Sequence, residues 1–147
     1  MEKTRTSTAG NRGFTLLELI VVLFIAGMAV AVVVFSAGRI RENAVFRDEV
    51  MRLSQTLKHA REIAIMERTD VSVKLDAENN RYWIDYGNGK RSDTRALPAG
   101  LSLSGKEVVF FSNGGSSGGT MKIKNAKDQV YEIDVDSVMG KPKVKRL

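Results

Sequence analysis

Residues 14–35 read FTLLELIVVLFIAGMAVAVVVF, an apolar run with one charge, Glu18. As a helix rising about 1.5 Å per residue, this stretch extends ~33 Å, enough to cross a hydrocarbon core about 30 Å thick. It is longer than the apolar region of an ordinary secretory signal, and no small-residue cleavage pattern follows it. The sequence therefore predicts a retained membrane helix. Glu18 conflicts with that setting, because a carboxylate in hydrocarbon costs roughly 2.5 kcal/mol or more. It needs a partner, a role in assembly, or a place at the membrane edge only five positions into the run.

Working outward, residues 1–13 (MEKTRTSTAGNRG) are polar, with Lys3, Arg5 and Arg12 against Glu2. The basic leader favours a cytoplasmic N-terminus, although Arg39 and Arg41, with Glu42 beside them, follow the run on its other side. Beyond Gly38 the pattern becomes amphipathic. Ile40, Phe46, Val50, Leu53, Leu57, Ala60 and Ala64 recur mostly at three- and four-residue steps, and Arg47, Glu49, Arg52, Lys58 and Arg61 fill the gaps. No proline interrupts residues 14–68, so one helix is expected to run through both parts. A helix of about 50 residues is about 75 Å long. Gly27 and Ala31 form a small-xxx-small pair of the kind that lets helices approach closely.

From Thr69 the period shifts towards two. Strands are expected at Val71–Leu75, Tyr82–Tyr86, Glu107–Phe111, Thr120–Lys124, Val130–Val135 and Lys143–Arg146. Asn79-Asn80 and Asn125–Asp128 read as hairpin turns, and residues 90–100 as a loop. The fold class is α+β: a long N-terminal helix, transmembrane over 14–35 and amphipathic over 36–68. It packs on an antiparallel β head of about six or seven short strands in 69–147.

Composition narrows the chemistry. There is no cysteine and one histidine, His59, so thiol nucleophiles, disulfides and multi-histidine metal sites are excluded. GLSLSGK, residues 100–106, spells the start of a phosphate-binding loop. Glu107 then stands where a serine or threonine hydroxyl is needed, and a strand, not a helix, is expected to follow. No catalytic residue, metal site or cofactor is read from the sequence. The net charge of +6 gathers in part at the end, where Lys141, Lys143, Lys145 and Arg146 follow the last acid, Asp136. Extended, the three lysines share one face, as a phosphate-tracking surface would require. A lysine-rich edge that blocks unwanted strand pairing is the favoured reading.

The segment Arg12-Gly13-Phe14-Thr15-Leu16-Leu17-Glu18 resembles the processing site of type IV prepilins and type II secretion pseudopilins. A short basic leader ends in glycine, and phenylalanine follows. Glutamate stands fifth in the mature chain, within the apolar helix. The resemblance implies that a prepilin peptidase cuts between Gly13 and Phe14 and methylates the new amine of Phe14. It implies too that Glu18 sets assembly register by meeting the Phe14 amine of a neighbouring subunit, each charge offsetting the other's desolvation. In the head, an aromatic strand precedes the Gly/Ser loop at residues 112–119, then further strands and a basic end. That order resembles the family shared by the type II secretion minor pseudopilin H and the type IV minor pilin T. Asn113 and Lys141 depart from it, where aspartate and arginine are more usual. The resemblance implies a non-enzymatic filament subunit held in the inner membrane by a single pass, its N-terminus cytoplasmic and its head periplasmic. It would later join a periplasmic filament. Other pseudopilins or pilins, the prepilin peptidase and the inner-membrane assembly platform are the implied partners. The alternative is a type IV minor pilin that binds DNA during transformation through Lys141, Lys143, Lys145 and Arg146.

Overall fold

The computed structural model describes residues 14–147, and the side chains of all of these except 35–41. The leader, with Gly13, and the side chain of Ile40 lie outside that description. The chain falls into two units, Met1–Arg41 and Glu42–Leu147. Helix α1 runs Leu16–Glu67. Its start is capped: the Glu18 N–H donates to Thr15 Oγ1 at 3.2 Å, and the Leu19 N–H to the Thr15 carbonyl at 3.2 Å. The first of these occupies a backbone donor that a helix start otherwise leaves unpaired, and the second is the first regular bond of the helix.

In the second unit the amphipathic pattern becomes a core. Phe46, Val50, Leu53, Leu57, Ala60 and Ala64 are all buried, and they form one helix face. Against it lie two antiparallel sheets. The first comprises β1 (Val71–Asp76), β2 (Arg81–Gly87), β3 (Lys90–Arg91), β4 (Arg95–Ala96) and β6 (Val108–Phe110). Its order is β3-β2-β1-β6, with β4 also pairing β2. The second comprises β5 (Leu101–Gly105), β7 (Gly119–Asn125), β8 (Val130–Val135) and β9 (Pro142–Arg146), in the order β5-β7-β8-β9.

Alternation sends one side of each strand into the core. Across the first sheet, Val73 stands opposite Ile84 on one side and Val108 on the other. Across the second, Met121 opposes Ile133, which opposes Val144. Asn80, at φ 50° in the β1–β2 turn, joins the sheets: its side-chain oxygen accepts the Leu103 N–H at 2.8 Å and its carbonyl the Leu97 N–H at 2.9 Å.

The described residues hold nine strands, more than the six or seven expected. Two of the additional ones, β3 and β4, are two-residue pairings within 90–100 that local pattern does not announce. The third, β5, occupies the segment with phosphate-loop lettering. Leu101 opposes Asn125 and Gly105 opposes Met121, so its backbone groups serve a sheet, and β6 rather than a helix follows.

Beside the core, the Glu49 carboxylate is buried and takes two bonds from Arg95 of β4, 3.0 Å from Nη2 and 3.3 Å from Nε. That fork ties the helix to the first sheet. Next to it, among the described residues, the Tyr82 hydroxyl is buried with no partner in hydrogen-bond geometry, and burial pushes its pKa up. The Thr56 hydroxyl donates to the Arg52 carbonyl at 3.0 Å, and its smaller influence on Tyr82 acts against that rise. An unpaired buried hydroxyl costs about 1–3 kcal/mol, and phenylalanine keeps the ring's packing. Tyr82→Phe is therefore expected to leave stability unchanged or raise it by up to about 1 kcal/mol, read by urea denaturation. A loss above that size would reveal a partner for the hydroxyl.

Candidate filament-assembly site

The N-terminal unit presents the features expected of a subunit that packs by its helix. Leu16–Val34 is long and apolar enough to cross a membrane, and none of it is buried. Phe14 is 71% exposed, and the large apolar residues from Leu16 to Val34 are all exposed too. Gly27 has open space where a Cβ would stand, so no fold-internal contact asks for glycine there. At the head of the run, Phe14 and Thr15 precede the helix and Glu18 lies in its first turn. A carboxylate there faces the positive end of the helix dipole, which is stabilising.

Thr15-Leu16-Leu17-Glu18 also has the Thr-x-x-Glu spacing of a capping box. The bond from the Glu18 N–H to Thr15 Oγ1 is the threonine's half of it. Sequence reasoning had a signal for this cap in the spacing itself and missed it by treating Glu18 only as a charge. Glu18 and Phe14 are thus brought together at one exposed helix start, while Gly13 lies outside the described residues.

The basic end sits elsewhere in the fold. Lys143 and Lys145 belong to β9 and stand opposite Asp134 and Glu132 of β8. Glu132 is already paired with Lys122 at 3.0 Å. The Met139 and Val138 amides hold the Asp136 carboxyl below its usual range against a smaller opposing effect of burial, with a lesser contribution from Lys143. Arg146 lies on the other side of the strand, opposite Tyr131, whose ring meets Phe46 edge-on at 5.1 Å. The lysine row therefore lies beside a row of acids, which weakens the field a phosphate chain would meet.

The Gly/Ser loop is anchored. Arg61 Nε donates to the Gly114 carbonyl at 3.0 Å, the Ser116 N–H to the Ser137 carbonyl at 2.9 Å, and Ser116 Oγ to the Asp136 carbonyl at 3.0 Å. It is a joint between α1 and the β8–β9 connection.

Residues 49–138 match the model of the family described as type II transport protein GspH. The chain belongs to the GspH family. Residues 8–34 also match the prokaryotic N-terminal methylation motif, which covers the residues just before Phe14, Phe14 itself, Glu18 and the apolar run to Val34. No curated relative matches the chain in sequence.

Among solved structures, the minor pseudopilin EpsH from the type 2 secretion system of Vibrio cholerae is similar, with 17% identity and a TM-score of 0.55, over 69% of this chain and 95% of that one. The type IV minor pilin FimU of Pseudomonas aeruginosa is similar at 16% identity and a TM-score of 0.59, over 71% and 90%. At these identities the likeness is one of fold. The GspH-family chain has the α+β architecture of pilin-like subunits, which are structural components of filaments, and its apolar N-terminal helix fits a single-pass membrane anchor.

Proposed function

We propose that this GspH-family chain is a minor pseudopilin of a type II secretion system. A prepilin peptidase cleaves it between Gly13 and Phe14 and methylates the Phe14 amine. The precursor lies in the inner membrane with its N-terminus cytoplasmic and its head periplasmic. The assembly platform moves it into a short periplasmic filament alongside other pseudopilins. There Glu18 meets the Phe14 amine of a neighbour and fixes the register of the stack. The observation that carries this reading is the exposed apolar stretch Leu16–Val34, whose only charge, Glu18, sits in the first turn of its helix, in a chain whose head matches the GspH family.

Mass spectrometry of the protein from its native membrane tests the reading. The expected N-terminus is Phe14 carrying one added methyl group. Gly13→Ala is expected to leave most of the protein uncleaved, because the small backbone profile at the cut is lost. An intact Met1 start in cells that mature their other pilins would overturn the proposal. Crosslinking to core pseudopilins is expected of the mature form.

A further inference from the structure

Strand β9 is the outer strand of its sheet, and its backbone is only half used. The Leu147 N–H donates to the Val130 carbonyl at 3.0 Å, and the Asp136 N–H to the Lys141 carbonyl at 3.2 Å. Antiparallel partners alternate between bonded and unbonded pairs. The odd-numbered residues of this segment therefore bond inward to β8, and Pro142, Val144 and Arg146 turn their backbone groups to the open edge. Pro142 has no N–H. The edge thus offers two donors, at Val144 and Arg146, and three carbonyl acceptors.

Helix α1 runs beside this edge. At one end a cleft of about 200 Å³ is lined by Arg47 and Arg146 with Asn43, Gln129, Phe46 and Tyr131. At the other a cleft of about 390 Å³ is lined by Lys58, Arg61 and Lys141, with Glu62 its one acid. Between the clefts the seam carries two exposed apolar side chains. Val144 is 40% exposed although Ile133, its cross-strand partner, is fully buried. Met51 is 55% exposed, and it lies four residues after Arg47 and seven before Lys58, on the same helix face. Among the described residues, no acid lies within ion-pair distance of Arg47, Lys58, Lys141 or Arg146.

We propose that this seam between α1 and β9 receives an extended acidic segment of a partner protein, which adds to the sheet as a fifth strand. Its backbone pairs with Val144 and Arg146, its acids meet the cations at both ends, and an apolar residue between them rests on Met51 and Val144. A second copy of β9 is disfavoured, because it would set Lys143, Lys145 and Arg146 against the same charges. A nucleic acid fits less well, because phosphodiesters have no donors for the three edge carbonyls, and Lys143 and Lys145 project from the opposite side of the sheet. The proposal goes beyond the assembly reading and requires neither leader cleavage nor Glu18.

The test uses the full chain, residues 1–147, isotope-labelled in detergent micelles, and an acetylated peptide of pattern Glu-Thr-Val-Thr-Glu. Binding is expected to slow hydrogen exchange at the Val144 and Arg146 amides at least tenfold and leave Lys143 and Lys145 unchanged. Combined Arg47→Glu and Lys58→Glu, both at exposed positions, is expected to weaken peptide binding at least tenfold with circular dichroism unaltered. Unprotected Val144 and Arg146 amides at saturation would overturn the proposal. So would equal binding of a peptide with lysine in place of glutamate. A short single-stranded oligodeoxynucleotide that binds while those two amides stay unprotected would assign the cations to phosphates and likewise overturn it.

Discussion

Gly105→Val is expected to unfold the head. Gly105 ends β5 at φ +131°, opposite Met121 of β7. A Cβ there would stand 2.8 Å from Met121 Cα and press closer still on the Thr120 carbonyl oxygen. Both are backbone atoms of β7, an interior strand paired on both sides, so neither yields without breaking the sheet. Backbone strain of this kind costs about 1–3 kcal/mol, and overpacking adds a similar amount, against a total stability of about 5–15 kcal/mol for a domain. Even Gly105→Ala is expected to lose about 3 kcal/mol or more. Gly100→Ala is the control. It too has positive φ, +86°, but its added Cβ would meet nothing within 4 Å, so a loss of only about 1–2 kcal/mol is expected. Trp83, the single tryptophan, reports both by urea denaturation. A Gly105→Ala protein as stable as the control would refute the steric argument.

Glu18→Val is expected to leave membrane insertion intact and reduce incorporation into filaments at least tenfold. Valine keeps the backbone N–H that Thr15 Oγ1 accepts, so the second explanation for such a loss is confined to the side-chain half of a capping box, which valine cannot supply. Glu18→Gln separates the two, because glutamine also serves in a capping box but carries no charge. If pairing with a neighbour's amine is the role, glutamine assembles as poorly as valine. If the cap is the role, glutamine assembles normally and Thr15→Val fails instead. Crosslinking yield in isolated filaments reads all three, with membrane fractionation as the check on insertion.

Some of this fold was legible in the sequence and some was not, for identifiable reasons. The helix face from Phe46 to Ala64 was readable because one side of a periodic element is buried along its whole length. Strands β1, β2, β7 and β8 alternate, and their turns place Asn80 at φ 50° and Asp128 at φ 60°, residue types that tolerate positive φ. Strand β5 was obscured by lettering. Leu101-Ser102-Leu103-Ser104 alternates, and Leu103 is buried, but the glycines at 100 and 105 suggested a phosphate loop. Glycine at 105 is explained by the approach of β7, a contact with a distant part of the chain. The Glu49–Arg95 fork joins residues 46 apart, and no local pattern points across such a gap. At the N-terminal site the residues were readable one by one, while the hydroxyl cap that links Thr15 to Glu18 was left unread.

The bare greasy rod at Leu16–Val34 dictates how such a molecule travels. Wetting that many apolar side chains at once would cost on the order of 30 kcal/mol, so a lone copy adrift in water is never a usable intermediate. On the proposed route, departure from lipid and arrival among neighbouring rods is then a single handover, each lipid tail exchanged for a protein surface as it is given up. Growth by this route is fed from a two-dimensional reservoir. Its rate answers to the density of copies in the bilayer, not to any dissolved pool.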